Sequence, residues 1–268
     1  MEHDSKKTGI ISLAHQLESA MQEQYLNKGS FYDSQWKEWN DMIQYSPAPR
    51  FRRTKIISWL KKLSVGSLLD VGCGNGEFLL EIQKAIPKVQ LTGADVAAEL
   101  LTSNRLRMPE LRFDILNIEK DILPERYDAI VCMEVIEHCT DYQAVIGRLA
   151  KMANQWLLLT VPCGPLFEID RRVGHVKHFN PEEIRQALSK AGMKTIKLQC
   201  WGFPFFNLYK HIINLAPDMM SQSFLSARGY SRRQKALSSA TYAAFRLSMP
   251  RWGYQLFVLA TQNRNLPK

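Results

Sequence analysis

The chain has 268 residues, of which 46% are hydrophobic, and a formal net charge of +9 at neutral pH. That length and apolar content can bury one large α/β core, so we expect a single domain with short additions. No run of about eighteen apolar residues occurs, which excludes a membrane-spanning helix, and the five cysteines form no Cys-x-x-Cys pair, so we expect a cytoplasmic protein with reduced thiols.

The first predicted unit is a helical extension over residues 1–46 that is rich in aromatic side chains. These are Tyr25, Phe31, Tyr32, Trp36 and Trp39. The main domain is predicted over residues 47–268 and begins with a helix that runs to Leu63. Ordinary packing of a helical extension accounts for the aromatic residues about as well as a place beside a bound cation.

A glycine-rich turn follows the first predicted strand. The apolar segment Leu68–Val71 runs into three glycines and then opens a helix, and residues without a Cβ let the backbone turn sharply and lie against a ligand. Asp70 precedes the turn and no Gly-Lys-Ser/Thr ends it, so it is neither the Gly-x-Gly-x-x-Gly dinucleotide motif nor a phosphate loop. The residues expected to bind a ligand here are Asp70, Gly72, Cys73, Gly74 and Gly76.

Asp95 ends the next apolar run, Val89–Ala94, nineteen residues after Gly76, which is the length of one helix and one strand. In a doubly wound sheet this acid lies at the tip of the second strand beside the glycine loop, where its carboxylate can accept hydrogen bonds from both hydroxyls of a ribose. Asp95 is therefore the predicted ribose ligand.

Five further strands complete a seven-stranded α/β sheet with helices on both faces. They are Leu111–Ile118, Tyr127–Met133, Trp156–Pro162, Thr195–Trp201 and Gly253–Ala260. Helices are predicted between them at about 76–85, 142–152 and 181–191, the last closed by Gly192. Glu134–His138 follows the fourth strand, and open α/β sheets place their chemistry at this edge.

A basic helical insertion, about 203–250, precedes the last strand. From Trp201 to Lys268 nine basic residues stand against one acid, Asp218. A helix between Pro204 and Pro217 is predicted to have an apolar stripe at Phe205, Leu208, Tyr209, Ile212, Ile213 and Ala216, with Asn207, Lys210, His211 and Asn214 on its other face. A second helix runs from about Ser231 to Ser248.

Two interpretations of the insertion stay open. Either its apolar stripe packs on the domain beneath a solvated basic face, or it is a lid that meets an anionic acceptor or an anionic membrane surface. Nucleic-acid binding is less favoured, because the aromatic residues have core-like helical spacing and do not alternate with the basic ones.

The glycine loop, Asp95 and the motifs that follow them together resemble the class I S-adenosylmethionine-dependent methyltransferases, especially the group with the ubiquinone-pathway O-methyltransferases, over about Pro47 to Gln262. The resemblance implies a Rossmann-like sheet, an N-terminal helical cap, and S-adenosyl-L-methionine with its amino acid end in the glycine loop. In that family an acid after the third strand usually faces the adenine; here the aligned residue is Asn117, with Asp114 as the alternative or as a solvent-facing residue. The cofactor residues implied beyond the loop are Asp95, Val96, Asn117, Ile118 and Met133.

Three histidines are candidates for a catalytic base. A sulfonium is an activated donor, so a base is needed only when the acceptor must lose a proton, and an imidazole suits a hydroxyl acceptor. His175 is the first choice, because it follows the fifth strand on the substrate side; His138 and His178 are the others. Each could instead be structural, and a backbone hydrogen bond explains His138 equally well.

A metal is the alternative to a base. Glu134, Glu137 and His138, with a later histidine, resemble the divalent-metal ligands of small-RNA 2′-O-methyltransferases, in which a metal lowers the pKa of the hydroxyl. Glu-x-x-Glu-His is also common in relatives without a metal, so we predict no metal site.

The predicted function is methyl transfer to a small-molecule or lipid-like acceptor, most favourably at oxygen, by a monomer or homodimer. An RNA or other nucleic-acid methyltransferase with a metal at Glu134, Glu137 and His138 is one alternative. The absence of an Asn/Asp-Pro-Pro-aromatic motif after the fourth strand argues against base N-methylation. The other alternative is a cofactor-binding partner protein without catalysis.

Overall fold

The computed structural model describes residues 41–216 and 229–263. At its centre lies a single seven-stranded sheet. The strands are β1 (Ser67–Val71), β2 (Gln90–Asp95), β3 (Arg112–Ile115), β4 (Tyr127–Met133), β5 (Ala153–Pro162), β6 (Met193–Trp201) and β7 (Gln255–Gln262). Their order is β3-β2-β1-β4-β5-β7-β6, and β7 runs antiparallel to both of its neighbours while the other pairs are parallel. This is the predicted Rossmann-like α/β sheet.

Eight helices with defined bounds surround the sheet in the described part of the chain. They are α1 (Pro47–Leu60), α2 (Glu77–Ala85), α3 (Ala98–Arg107), α4 (Tyr142–Met152), α5 (Glu168–Arg172), α6 (Pro181–Lys190), α7 (Phe205–Ile213) and α8 (Arg232–Phe245), with a 3₁₀ turn at Ile136–His138. Residues 41–45 are also helical. No helix among the described residues is long and apolar enough to cross a bilayer.

The core forms two layers because successive strand residues point to opposite faces of the sheet. Leu69, Ile130 and Leu157 belong to the layer covered by α4 and α6. Leu68, Val131 and Phe257 belong to the opposite layer, which α1, α2 and α8 cover. Central strands buried on both faces explain their nearly continuous apolar sequences, and helices lie on both faces as predicted.

Three elements differ from the sequence-based expectations. The strand β3 ends at Ile115, so Asn117 and Ile118 lie in the following loop. The helix α3 was not predicted. It buries only Leu101 and Asn104, and most of its other residues are polar or charged, so its sequence shows no apolar stripe. The helix α5 was not predicted either, since its five residues are too few for a periodic pattern.

The apolar stripe predicted on α7 was correct at Tyr209 and Ile213 and wrong at Phe205, Leu208 and Ile212. Phe206 and Ile213 are the buried residues of α7, and Tyr209 packs against the same core. Phe205, Leu208 and Ile212, which were expected to pack on the domain, are exposed. Lys210, placed on the outer face by the prediction, points inward and pairs with Asp170. The apolar residues of α7 form one broad stripe, of which one edge is buried and the other exposed, so periodicity could not show which edge packs on the domain.

The predicted N-terminal cap falls largely outside the described residues, including Tyr25, Phe31, Tyr32, Trp36 and Trp39. Its described end approaches α8. The backbone N–H of Tyr230 donates to the Asp41 carboxylate, and the Ser46 and Tyr230 hydroxyls hydrogen-bond at 3.0 Å. The end of the N-terminal segment is therefore joined to the basic insertion.

Candidate functional site

The loop between β1 and α2 has left-handed backbone at its glycines. Gly72 has φ +75°, and a Cβ there would lie 2.2 Å from Cγ2 of Val135. Gly76 has φ +74°, and a Cβ would lie 2.6 Å from Cε of Met108. The backbone conformation therefore favours glycine at both positions, and at Gly72 the branched Val135 side chain also leaves no room for a Cβ.

Asp95 organises this loop from the end of β2. Its Oδ2 accepts a hydrogen bond from the backbone N–H of Gly74 at 2.9 Å, and its Oδ1 accepts from the N–H of Ala97 at 3.0 Å. The Asn104 side chain donates to the Gly74 carbonyl at 2.7 Å. The parallel register, Val71 beside Ala94, brings the two strand ends together. The predicted proximity of Asp95 to the glycine loop is thus present.

A cavity of about 390 Å³ opens at the carboxyl ends of the strands. That volume is within the range of small-molecule and cofactor sites. Ten of the predicted site residues line it: Asp70, Gly72, Cys73, Asp95, Val96, Asn117, Ile118, Met133, His138 and His175. Gly74, Gly76 and His178 do not line the cavity; the first two shape the loop, and His178 lies behind His175.

The sequence left two candidates, Asn117 and Asp114, for the residue that faces the adenine. Asn117 lines the cavity, whereas Asp114 forms an ion pair with Arg112 at 2.8 Å and does not. The Asn117 Oδ1 accepts a hydrogen bond from the N–H of Glu119, which fixes the side chain at the cavity wall. Asn117 is therefore the better placed of the two.

Asp70 is the buried acid of the cavity floor, with 2% of its surface exposed. Burial, and next the nearby charge of Asp95, raise the pKa of Asp70 to about 8. No side chain or backbone group among the described residues donates a hydrogen bond to its carboxylate. A cation placed beside Asp70 would therefore gain a partner that is otherwise held protonated near neutral pH.

Two histidines face each other across the cavity edge. The His138 and His175 rings lie 4.8 Å apart, edge to face. The Nδ1 of His138 donates to the carbonyl of Gly174 at 3.0 Å, so its Nε2 is the acceptor nitrogen in the neutral form. Burial lowers the pKa of His138 and lowers the pKa of His175 well below its usual value. Both rings are therefore neutral, as a general base must be.

Asp170 and His178 support His175 from behind. The Nδ1 of His175 lies 3.1 Å from the Nε2 of His178, which in turn lies 3.5 Å from Oδ2 of Asp170. Asp170 also pairs with Lys210 of α7. This buried set links the loop after β5 to the insertion.

The Glu-x-x-Glu-His segment separates its two acids. Glu134, at φ +56°, accepts hydrogen bonds from Thr160 and Gln255 and pairs with Arg52 at 3.4 Å. Glu137 is 0% exposed, and neither of its carboxylate oxygens has a hydrogen-bond partner among the described residues. Burial, and next the charge of Glu134, raise the pKa of Glu137 well above its usual value.

Glu137 also belongs to a group with ligand geometry. One carboxylate oxygen of Glu137 and one ring nitrogen each from His138 and His175 all lie within 4.8 Å of one another. One oxygen and two nitrogen donors fit a divalent transition metal with an open coordination position. The sequence offered Glu134, Glu137 and His138 as metal ligands. Glu137 and His138 lie together with His175 in this group, and Glu134 is not part of it.

Several cavity residues were missed by the sequence analysis. They are Arg52, Asp170, Tyr209, Tyr254 and Gln255. They come from separate elements, so no local motif marks them: Arg52 from α1, Asp170 from α5, Tyr209 from α7, Gln255 from the start of β7 and Tyr254 from the residue before it. Burial raises the pKa of Tyr209 to about 12, which keeps its hydroxyl a neutral donor.

Comparison with known proteins gives consistent matches. A family model described as a methyltransferase domain matches residues 48–198, more than half of the chain. The ubiquinone biosynthesis O-methyltransferase of Photobacterium profundum is 38% identical over 93 residues, which cover 32% of this chain and 39% of that protein. The protein of the same name from Klebsiella pneumoniae (strain 342) is 27% identical over 223 residues, covering 73% and 84%. The chain thus spans about two fifths of the first relative and most of the second.

Among solved structures, the N-methyltransferase NodS from Bradyrhizobium japonicum WM9, in complex with S-adenosyl-L-homocysteine, superposes with a TM-score of 0.55. The alignment covers 86% of this chain and 97% of that one at 19% sequence identity. At that identity the likeness shows a shared fold.

Proposed function

Because the chain belongs to the methyltransferase-domain family that its residues 48–198 match, we propose that it transfers a methyl group from S-adenosyl-L-methionine to an oxygen of a small-molecule or lipid-like acceptor. The observation that carries the proposal is the hydrogen bond from Gly74 to Asp95, which holds a glycine loop and two acids around one cavity. The names of the relatives from Photobacterium profundum and Klebsiella pneumoniae describe O-methylation and support an oxygen acceptor.

The chemistry of the cavity residues supports an assignment of each to a part of this cofactor. Asp70 would hold the ammonium group, Asp95 the ribose hydroxyls and Asn117 the adenine. Val96, Ile118 and Met133 would provide apolar contacts beside them. When bound, the cofactor supplies a methyl group on a sulfonium, so the protein has to align the acceptor with it and exclude water.

Neutral histidines at the cavity edge support a hydroxyl acceptor. His175 would take the hydroxyl proton at Nε2, which requires its Nδ1 to donate to Nε2 of His178. His178 is then a positioning residue, and His138 is the second candidate base.

A metal-assisted reaction is the second candidate, and one observation favours it. Glu137 is a fully buried carboxyl without a hydrogen-bond partner among the described residues, beside two imidazoles. Bound by Glu137, His138 and His175, a divalent ion would lower the pKa of an acceptor hydroxyl. The acceptor would then include nucleic acid, as in the RNA methyltransferase alternative that the sequence left open.

The test is a transfer assay with the full chain and a cofactor labelled at its methyl group. Pools of phenols, catechols and polyprenylated phenols are the acceptors, and total RNA is offered in parallel. Label in a phenolic product supports the proposal. Label found only in RNA would contradict the proposed small-molecule acceptor and favour a nucleic-acid methyltransferase. Cofactor binding without methyl transfer to any acceptor would indicate a binding protein without catalysis.

A further inference from the structure

The insertion helix α7 has three faces with different surroundings. Phe206, Tyr209, Lys210 and Ile213 line the cavity. Asn207, His211 and Asn214 bind the chain around them: Asn207 donates to the Trp252 carbonyl, His211 hydrogen-bonds the Tyr254 hydroxyl, and Asn214 accepts from the N–H of Ile169. The third face consists of the exposed apolar residues Phe205, Leu208 and Ile212, and exposed Leu215 follows in the turn after the helix.

A second group of exposed apolar residues lies beside the start of this helix. Met249 hydrogen-bonds through its backbone to Phe203, and the Phe203 ring meets the Trp252 ring at 6.5 Å, edge to face. Trp252 is 72% exposed, Leu208 55% and Ile212 53%. We call the exposed apolar side chains of both groups the outer patch: Phe203, Phe205, Leu208, Ile212, Leu215, Met249 and Trp252. Large exposed apolar groups that lie together mark an interaction surface.

The segment that carries the outer patch has charge of one sign. Between Trp201 and Asn263 the only acid in the sequence is Asp218, and among the described residues of that span there is none. Exposed Arg251 lies in the loop that carries Trp252, and exposed Arg246 lies just before that loop, whereas Arg232 and Arg233 are exposed at the opposite end of α8. An apolar face with a basic border and a tryptophan is the composition of helices that lie in the interface of an anionic bilayer.

We propose that the outer patch docks the protein on an anionic membrane surface, with Leu208, Ile212 and Trp252 entering the interface and Arg246 and Arg251 meeting the lipid phosphates. The same helix then has one face in the interface and another on the cavity. A helix with its side chains is about 10–12 Å across, so an apolar acceptor would pass from bilayer to cavity within one helix diameter. Only this last consequence rests on the proposed function.

The test is co-sedimentation of the full chain with vesicles of phosphatidylcholine alone and of phosphatidylcholine with phosphatidylglycerol. We expect binding to the anionic vesicles, weaker binding as salt rises, and little to the neutral ones. Leu208→Ser with Ile212→Ser should weaken binding about tenfold or more, since two apolar side chains are lost from the interface. Arg246→Gln and Arg251→Gln should each weaken it about fivefold.

Leu106→Ser is the matched control, because Leu106 is 82% exposed on α3, away from the outer patch. It should bind vesicles like the parent chain, and unchanged melting temperatures should show that all variants fold. Absence of vesicle binding by the parent chain, or equal binding by the double variant, would overturn the proposal. So would a dimer in sedimentation velocity that only the double variant dissociates, since the patch would then hold a second copy.

Cofactor binding in the same preparations separates the two proposals. Vesicle binding without affinity for S-adenosyl-L-homocysteine would contradict the proposed function and support the docking surface. Cofactor affinity without vesicle binding would do the reverse.

Discussion

The backbone N–H of Gly74 donates a hydrogen bond of 2.9 Å to Oδ2 of Asp95, 21 residues further along the chain. The other carboxylate oxygen of Asp95 accepts from Ala97, so the charged group receives two backbone donors. Hydrogen bonds to a charged acceptor are roughly twice as strong as neutral ones. Asp95 therefore holds the glycine loop in the shape that we propose receives the cofactor.

Asp95→Asn should weaken binding of S-adenosyl-L-homocysteine about ten- to a hundredfold. An amide has a single acceptor oxygen, so one of the two N–H groups now bound by Asp95 would lose its partner, at a cost of about 1.5–3 kcal/mol. Titration calorimetry measures the change. Asp114→Asn is the control, because Asp114 lies on the neighbouring strand and pairs with Arg112. Unchanged affinity in Asp95→Asn would remove Asp95 from the site.

Gly72→Ala should destabilise the fold by about 1–3 kcal/mol, because the new methyl group meets Val135 and the backbone has φ +75°. Adding Val135→Ala should restore the part that comes from the clash. Gly147→Ala is the opposite control: its Cβ has no neighbour within 4 Å, and it lies inside α4. It should stabilise the protein by about 0.5–1 kcal/mol. Urea unfolding would measure the free energy of unfolding of both variants, which should fall in Gly72→Ala and rise in Gly147→Ala. An unchanged free energy in Gly72→Ala would contradict the loop geometry.

Binding of the cofactor should release a proton from Asp70. Its raised pKa of about 8 means that the folded protein holds a proton on Asp70 between about pH 4 and 8, where the unfolded chain has lost it. A bound ammonium group favours the carboxylate, so affinity should rise with pH inside that window, by up to about tenfold per pH unit. Calorimetry near pH 6.5 in two buffers of different ionisation enthalpy measures the proton. Asp70→Asn should release none, and equal release in both proteins would exclude Asp70 as its source.

His175→Ala should lower turnover on a hydroxyl acceptor about 10²- to 10⁴-fold, the usual contribution of a general base. Affinity for the cofactor should stay within about threefold, because the predicted role is in the chemical step. His138→Ala tests the second candidate, and His211→Ala is the control, since His211 is exposed and bonds Tyr254. Full turnover in both His175→Ala and His138→Ala would show that neither histidine is the base.

The same assay with a chelator separates a base from a metal. With His175 as a general base, turnover should survive extensive dialysis against a chelator, and Glu137→Gln should retain most of it. Loss of turnover that a divalent ion restores, together with metal bound by the parent chain and absent from Glu137→Gln, would assign the role to the cluster of Glu137, His138 and His175.

The β1 loop and Asp95 were predictable because each feature of them is local. A strand, a turn that needs glycine and a helix follow one another in the sequence, and parallel pairing then fixes where the second strand must end. The central parallel strands were predictable for a similar reason, since strands buried on both faces are short apolar runs.

The remaining walls of the cavity depend on contacts between distant segments. Arg52 reaches Glu134 across 82 positions, and Lys210 reaches Asp170 across 40. Nothing near Lys210 in the sequence shows whether its ammonium group faces solvent or pairs with a buried acid such as Asp170. The packed face of α7 was unpredictable as well, because apolar residues occupy its outward and inward sides alike.

Equilibrium dialysis of the full chain against labelled S-adenosyl-L-methionine tests the central claim most directly. We predict one equivalent bound per chain, displaced by S-adenosyl-L-homocysteine and not by NAD, and reduced in Asp95→Asn. Absence of retained label from the folded protein, or equal displacement by NAD, would contradict the assignment of this cavity to a sulfonium nucleoside.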